Sequence, residues 1–263
     1  MKFSWTRASN YYKRMAARYV FKRTLVIRTQ RPLISFTFDD FPRSALAVGG
    51  AILNHYGISG TYYVSLGMLG EDSVSGKLCA LVDLKVLLAQ GHELGCHTFT
   101  HCDSWDTAPS IFEDAIYQNR RALEDLIPDA EFKSFSYPLS EPRPTNKRRA
   151  SKHFLCCRGG GQSLNVGSTD LNQLSAFFLE KKRDSISEIK DLIDRNRALC
   201  GWAIFATHDV AESPSPYGCS PGFFEEVVRY AVDSGSLILP IVRAMDVIGG
   251  VKVAHNHSGL AND

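Results

Sequence analysis

Leu33-Ile34-Ser35-Phe36-Thr37-Phe38-Asp39-Asp40-Phe41-Pro42 is the stretch from which the rest of the chain reads. Six residues rich in apolar and β-branched types run straight into two adjacent carboxylates, and Pro42 stops the strand. A buried strand has no use for acids at its end. Two neighbouring carboxylates repel each other unless something positive lies between them. A divalent metal that takes one and leaves the other as a base satisfies both. Taken alone, the pair reads more readily as a solvated Asp-Asp turn, and the rest of the chain changes that balance.

Outward from this strand the chain alternates strands and helices. The pattern predicts a helix over Ala45–Tyr56 capped by Ser44, a strand over Gly60–Ser65 and an apolar helix over Leu81–Gln90. A short strand, Glu93–His97, follows. Pro109 opens a helix with Ile111, Phe112, Ile116, Leu123 and Leu126 inside. Strands are expected at Phe132–Tyr137, His153–Cys157, Trp202–Thr207 and Leu237–Ile241. Ser185 and Glu188 form a capping-box pattern, and Ser220-Pro221 starts the last long helix. Such alternation without a linker implies one α/β domain whose parallel sheet closes as a barrel. Residues 32–250 are read as that domain, 1–31 as a basic, aromatic-rich extension and 251–263 as a polar tail.

Composition narrows the class. The 263 residues are 44% hydrophobic, enough for a substantial core, and the net charge of +2 does not point to nucleic acid. No apolar run reaches the roughly 18 residues of a membrane span. The N-terminus lacks the apolar core and small-residue cleavage site of a secretory signal. Seven scattered cysteines, an odd number, read as reduced thiols, so a cytoplasmic location is expected. Nine of the 30 Lys and Arg residues precede Asp39, the first acid. With Tyr12, Met15, Ala16 and Tyr19 at helical spacing, residues 1–24 admit a peripheral contact with anionic lipid. A short helix covering the end of the domain is the preferred reading.

In a barrel the loops after the strands converge on one mouth. Four expected strand ends carry reactive side chains: Asp39-Asp40, His97 with His101, Tyr137-Pro138-Leu139, and His208-Asp209. His97 and His101 are four residues apart, so in a helical turn both point one way and can grip one ion. Cys96 and Cys102 flank them, but without a CxxC pair a structural zinc knot fits poorly. Asp40 completes two imidazoles and one carboxylate, a set with open positions, as catalytic metals require. His208 with Asp209 suits proton transfer.

These groups resemble, in order, the motifs of the polysaccharide deacetylase family (NodB-homology domain, carbohydrate esterase family four). They are Ser35-Phe-Thr-Phe-Asp39-Asp40, Gly91-His-Glu-Leu-Gly-Cys-His97-Thr-Phe-Thr-His101, Phe135-Ser-Tyr-Pro138 and Thr207-His208-Asp209. The resemblance implies a distorted (β/α) barrel of about seven parallel strands. It implies hydrolysis of N-acetyl groups on amino sugars of a glycan or glycan precursor, with O-acetyl ester hydrolysis or silent sugar binding as alternatives. Asp40, His97 and His101 would hold a divalent ion, most often zinc. Asp39 would be the general base, His208 the acid that protonates the departing amine, and the Leu139 backbone N–H an oxyanion donor. One departure matters. Where many members carry an arginine that orients the base, Ser136 stands, and Arg158 or Arg43 are the replacements considered. Asp170 is considered for tuning His208, and Tyr137 and Asp209 for supporting roles.

Overall fold

The strand Leu33–Phe38 (β2) is buried along its whole length, so it must be covered on both faces. Side chains alternate across a strand. Ile34, Phe36 and Phe38 therefore meet Leu53, Val227 and other helix residues outside the sheet, while Leu33, Ser35, Thr37 and Asp39 point the other way. The computed structural model describes residues 17–182 and 185–249.

Twelve strands follow in chain order among these residues: Thr24–Val26 (β1), β2, Thr61–Val64 (β3), Asp72–Ser73 (β4), Gly76–Lys77 (β5), Glu93–Cys96 (β6), Ser134–Ser136 (β7), Cys156–Arg158 (β8), Ser168–Asp170 (β9), Phe177–Phe178 (β10), Trp202–Thr207 (β11) and Leu237–Ile238 (β12). Seven form one curled parallel sheet in the order β10-β11-β2-β3-β6-β7-β8, with β12 added beside β2. The edges β8 and β10 do not pair directly. Residues 171–174 lie along β8 instead, through Cys157 N–H to Leu171 O at 2.7 Å and Leu174 N–H to Cys157 O at 2.8 Å. This is the expected distorted barrel of about seven parallel strands.

The inward faces explain why the barrel closes. Small or polar residues, Ser35, Thr37, Thr61, Gly95, Ser134 and Ser136, leave room for three large buried side chains, Trp202, Tyr63 and Arg158. A Cβ on Gly95 would stand 2.3 Å from the Tyr63 ring, so only glycine fits there. Trp202 Nε1–H donates to Ser35 Oγ at 3.0 Å, which satisfies the one polar atom of that large ring. The helix Ile241–Ile248 closes the bottom. Two of its first N–H groups, orphaned within any helix, donate to Thr61 Oγ1 at 2.9 Å and Glu93 Oε2 at 2.8 Å.

Local expectations hold unevenly. Trp202–Thr207 has the bounds read from the sequence, and Ser220 caps the helix Pro221–Asp233 through Phe223 N–H. The first helix begins instead as a π-helical turn, Ala45–Gly50, with no side-chain cap from Ser44, and continues as Ala51–His55. Gly49 and Gly50 there let the backbone press onto Phe38 and Tyr62. Ser185 makes no side-chain cap, and Glu188 pairs with Lys182. Ile111 is exposed, one position off the helix face that buries Phe112, Ile116 and Leu123. The last strand stops at Ile238 because Pro240 opens the closing helix.

The segment read as an extension is joined to the domain from Ala17 onward. Ala17 is buried, β1 pairs antiparallel with β9, and Arg23 donates to the carbonyls of Phe154 and Leu155. Tyr12, Met15 and Ala16, most of the 1–24 arm, and the 251–263 tail lie outside the described residues. All seven cysteines are unpaired. No helix among the described residues is long and apolar enough to cross a membrane.

Candidate active site

The register of the sheet sets the site. Phe38 is level with Thr207 and Val64 with Cys96, so the residues just past these strand ends, Asp39, His208 and His97, emerge at one mouth. There Asp39, Asp40, His97, His101, Tyr137, Leu139 and His208 line a single cleft of about 440 Å³.

Asp40 leaves the strand with φ 59°, a left-handed conformation that Asp tolerates better than most residues, and Phe41 repeats it at 49°. The turn sends adjacent carboxylates to different places. Asp39, 4% exposed, points into the barrel, and Asp40 faces the cleft. His97 Nδ1 bonds to Ser136 O at 2.8 Å, which leaves Nε2 towards Asp40 at 3.5 Å. His101 Nε2 is 3.3 Å from the same Asp40 oxygen. The two imidazoles are not carried on a helical turn, as their spacing suggested. Thr98 and His101 are left-handed, at φ 63° and 52°, and Cys102 N–H donates to the buried Thr98 Oγ1 at 3.1 Å. The strained loop brings the imidazoles together, with ring centroids 4.9 Å apart.

One ligand atom from each of Asp40, His97 and His101 lies within 4.8 Å of the others. Two imidazole nitrogens and one carboxylate oxygen are the donors a divalent transition ion takes while keeping positions open. Burial pushes the His97 imidazole down to about 4, which keeps it neutral and able to donate a lone pair. The residues fit a metal. Nothing in the set selects zinc over its neighbours.

The missing arginine is found on the next strand. Arg158, 1% exposed, lies level with Ser136 across β7 and β8, and its guanidinium donates to both Ser136 Oγ and Asp39 Oδ1. The Tyr63 and Phe178 rings flank it, with Cζ 5.2 and 5.6 Å from their centroids. Burial alone would raise the Asp39 pKa; the Arg158 charge, assisted by His97 and His208, overrides it and holds the carboxyl at about 2. Arg43 is elsewhere, paired with Asp83 on the surface.

Past β7 the chain turns at Tyr137-Pro138-Leu139-Ser140, closed by Ser140 N–H to Tyr137 O at 2.8 Å. Leu139 and Ser140 are both left-handed, at φ 58° and 67°. Among the described residues nothing accepts from the Leu139 N–H, which sits on the cleft wall. Tyr137 Oη donates to Asn172 O at 3.0 Å and supports the turn from beneath.

His208 Nε2 is 3.9 Å from the other Asp40 oxygen, not the one that His97 and His101 approach. Asp209 does not assist it. That carboxylate accepts from Ser215 N–H at 2.8 Å and from Ser215 Oγ, tying down the loop that presents Tyr217. Asp170 is also away from His208. Its carboxylate lies 2.6 Å from the buried Lys147 Nζ and accepts from Arg23 N–H. The acid that does reach the region is Glu180, unread in the sequence. It lines the cleft, its Oε2 is buried without a partner among the described residues, and so is His208 Nδ1. Burial raises the Glu180 pKa and the His208 charge draws it back. The signal was present: Ala176-Phe-Phe-Leu179 runs into an acid just as Phe38 runs into Asp39.

Comparison with known proteins agrees with the geometry. Residues 27–154 match the family described as polysaccharide deacetylase. A gellan lyase from Bacillus sp is 23% identical over 197 residues, covering 68% of this chain and 8% of that protein, so the chain spans a small part of its length. Among solved structures, the Xyl-CE4 domain of a multidomain xylanase from the hindgut metagenome of Trinervitermes trinervoides has TM-score 0.60 at 17% identity, covering 85% of this chain and 93% of that one. A family 4 acetyl xylan esterase from Clostridium thermocellum, in complex with a cobalt ion, has TM-score 0.56 at 19% identity, covering 84% and 96%. A CE4 family pseudoenzyme from Bacillus anthracis has TM-score 0.57 at 12% identity, covering 84% and 67%. At these identities the likeness is one of fold. Taken with the order of the motifs, it identifies residues 27–154 as a polysaccharide deacetylase segment on a fold shared with family 4 carbohydrate esterases.

Proposed function

We propose that the chain is a metal-dependent hydrolase that removes N-acetyl groups from amino sugars of a glycan or glycan precursor. The observation that carries this reading is the division of the cleft: an arginine-held carboxylate, Asp39, and an imidazole, His208, beside a three-donor cluster. Asp40, His97 and His101 would hold the ion. A carboxylate at about pKa 2 cannot deprotonate ordinary water, so the reading needs the Lewis acidity that a divalent ion supplies, which brings a water's pKa towards roughly 7.

The chain's own groups then divide the work. Asp39 takes the proton of the attacking water, and Arg158 keeps its acceptor oxygens aimed and ionised. The Leu139 N–H, on the cleft wall and without an acceptor among the described residues, would donate to the carbonyl oxygen as it gains charge, a donor worth roughly 3 kcal/mol in comparable sites. His208 delivers a proton to the amide nitrogen, which leaves poorly as an anion. Pure sugar binding needs neither the Asp39 base nor the His208 acid.

An ester leaves without help from an acid, so the same cleft suits O-acetyl hydrolysis with less demand on His208. Acetate release from N-acetylated chitin oligomers and from acetylated xylan, each with and without chelator, tests the reading. We expect chelator-sensitive release from the amide substrate. Release from the ester alone reassigns the reaction, and release from neither overturns the hydrolase reading.

A further inference from the structure

Beside the cleft lies a second, polar cavity of about 210 Å³, lined by eleven residues between Gly160 and Ser175 together with Arg18 and Lys22. Only a backbone ridge separates the two. Gly160, on the cavity wall, has no side chain, and a Cβ there would stand 3.2 Å from Ser140 Cβ and 3.3 Å from Phe178 Cε2, both part of the cleft wall. Gly160 N–H donates to Ser140 O at 3.1 Å, so the ridge is fixed to the catalytic turn. A linear chain crossing this ridge would put adjacent units in adjacent cavities.

The lining is suited to a saccharide. Ser163, Ser168, Thr169 and Ser175 offer hydroxyls, and Gln173 Oε1 is buried with no donor among the described residues, as a site awaiting a hydroxyl would leave it. The neighbouring Gln162 is held left-handed at φ 53°, a cost of order 1 kcal/mol in a residue with a side chain.

Charge then narrows the ligand. The one acid on the wall, Asp170, is matched by the buried Lys147. Arg18 is shared with Glu141, at 3.2 Å, whereas Lys22 has no carboxylate partner among the described residues and lies over the Tyr19 ring. Across the ridge Lys181, over the Phe178 ring, shares the cleft wall with Asp39, Asp40 and Glu180. The cavity side, where Lys22 is unmatched, is therefore the place that favours a negatively charged unit.

We propose that this cavity is a second saccharide subsite, which takes the unit next to the acetylated sugar and prefers one carrying a carboxylate or phosphate. The placement relative to an acetylated sugar rests on the hydrolase reading, but binding does not, so the test reads binding alone. Calorimetric titration would compare a trisaccharide of one hexuronate and two neutral hexoses with the same trisaccharide reduced to the alcohol, and with its 6-phosphate counterpart. Both anionic ligands should bind about three- to fivefold more tightly than the neutral one, the range for a part-exposed charge contact. Lys22→Gln should remove most of that advantage, 0.5 M salt should weaken it, and Ser163→Tyr should weaken all three ligands by filling the cavity. Equal affinities, an advantage untouched by Lys22→Gln, or no binding of any ligand would overturn the subsite. None of these results depends on whether acetate is released.

Discussion

Arg158 and Ser136 stand level on adjacent parallel strands, and the guanidinium reaches past the serine hydroxyl to the Asp39 carboxylate. The positive charge that the family resemblance places on one strand has moved one strand over. The move works because inward positions of neighbouring strands share one volume, so an arginine from either can fill it if the other is small.

A swap follows. Arg158→Ser should destabilise the fold by roughly 3–5 kcal/mol, because Asp39 is left buried without a partner. Ser136→Arg should cost about 1–3 kcal/mol by overfilling the same space. The double variant should regain at least half of the summed loss, measured by urea denaturation. Simple additivity would show that the two positions do not exchange roles.

The ion pair also sets an acid limit. Asp39 titrates at about 2 in the folded chain against an ordinary 3.8, so the unfolded state binds the proton first as pH falls. Its contribution, about 2 kcal/mol, is fully present above pH 4 and is lost as pH falls towards 2. Arg158→Met removes the cause of the depression. The deficit of that variant relative to the parent chain should be largest near pH 6 and narrow between pH 4 and 2. A deficit constant across that range would mean that Arg158 stabilises by packing on Tyr63 and Phe178 instead.

Much of this was legible in the sequence because it depends on strand ends. Apolar runs that stop at Asp39, His97 and His208 mark the mouth without knowledge of which strands pair. What stayed hidden depends on pairing. Whether Arg158 or Arg43 serves Asp39 is decided by the β7–β8 register, and Asp170 is drawn away from His208 by Lys147, distant in sequence. The four-residue spacing of His97 and His101 suggested a helix, yet left-handed Thr98 and His101 achieve the convergence by strain, which spacing does not encode. Gly95 is a similar case: it reads as a weak strand residue until Tyr63 is seen lying against it.

Metal content separates ligand from base. Asp40→Asn, tolerated at φ 59°, and His101→Ala should each cut bound metal sharply, measured by elemental analysis after dialysis against zinc or cobalt. Asp39→Asn should keep the metal and lose turnover by roughly 10²–10⁴-fold. If Asp39→Asn sheds the metal as well, its carboxylate is a ligand and the base must be sought elsewhere.

Glu180 and His208 provide the remaining test. Phe178 pairs with Ala206, the turn Leu179–Lys181 that follows carries Glu180 to the cleft that His208 lines, and each keeps a buried atom unpartnered among the described residues. A carboxyl group beside an imidazole can fix the orientation from which it delivers a proton to a leaving amine. Glu180→Gln removes the acid and preserves the shape. Turnover on the amide substrate should fall about tenfold with KM little changed. A purely structural role for Glu180 would lower stability and leave kcat per folded enzyme unchanged. Because an ester needs little help in leaving, acetate release from acetylated xylan should be far less affected than release from chitin oligomers, and equal losses on both would detach Glu180 from proton delivery.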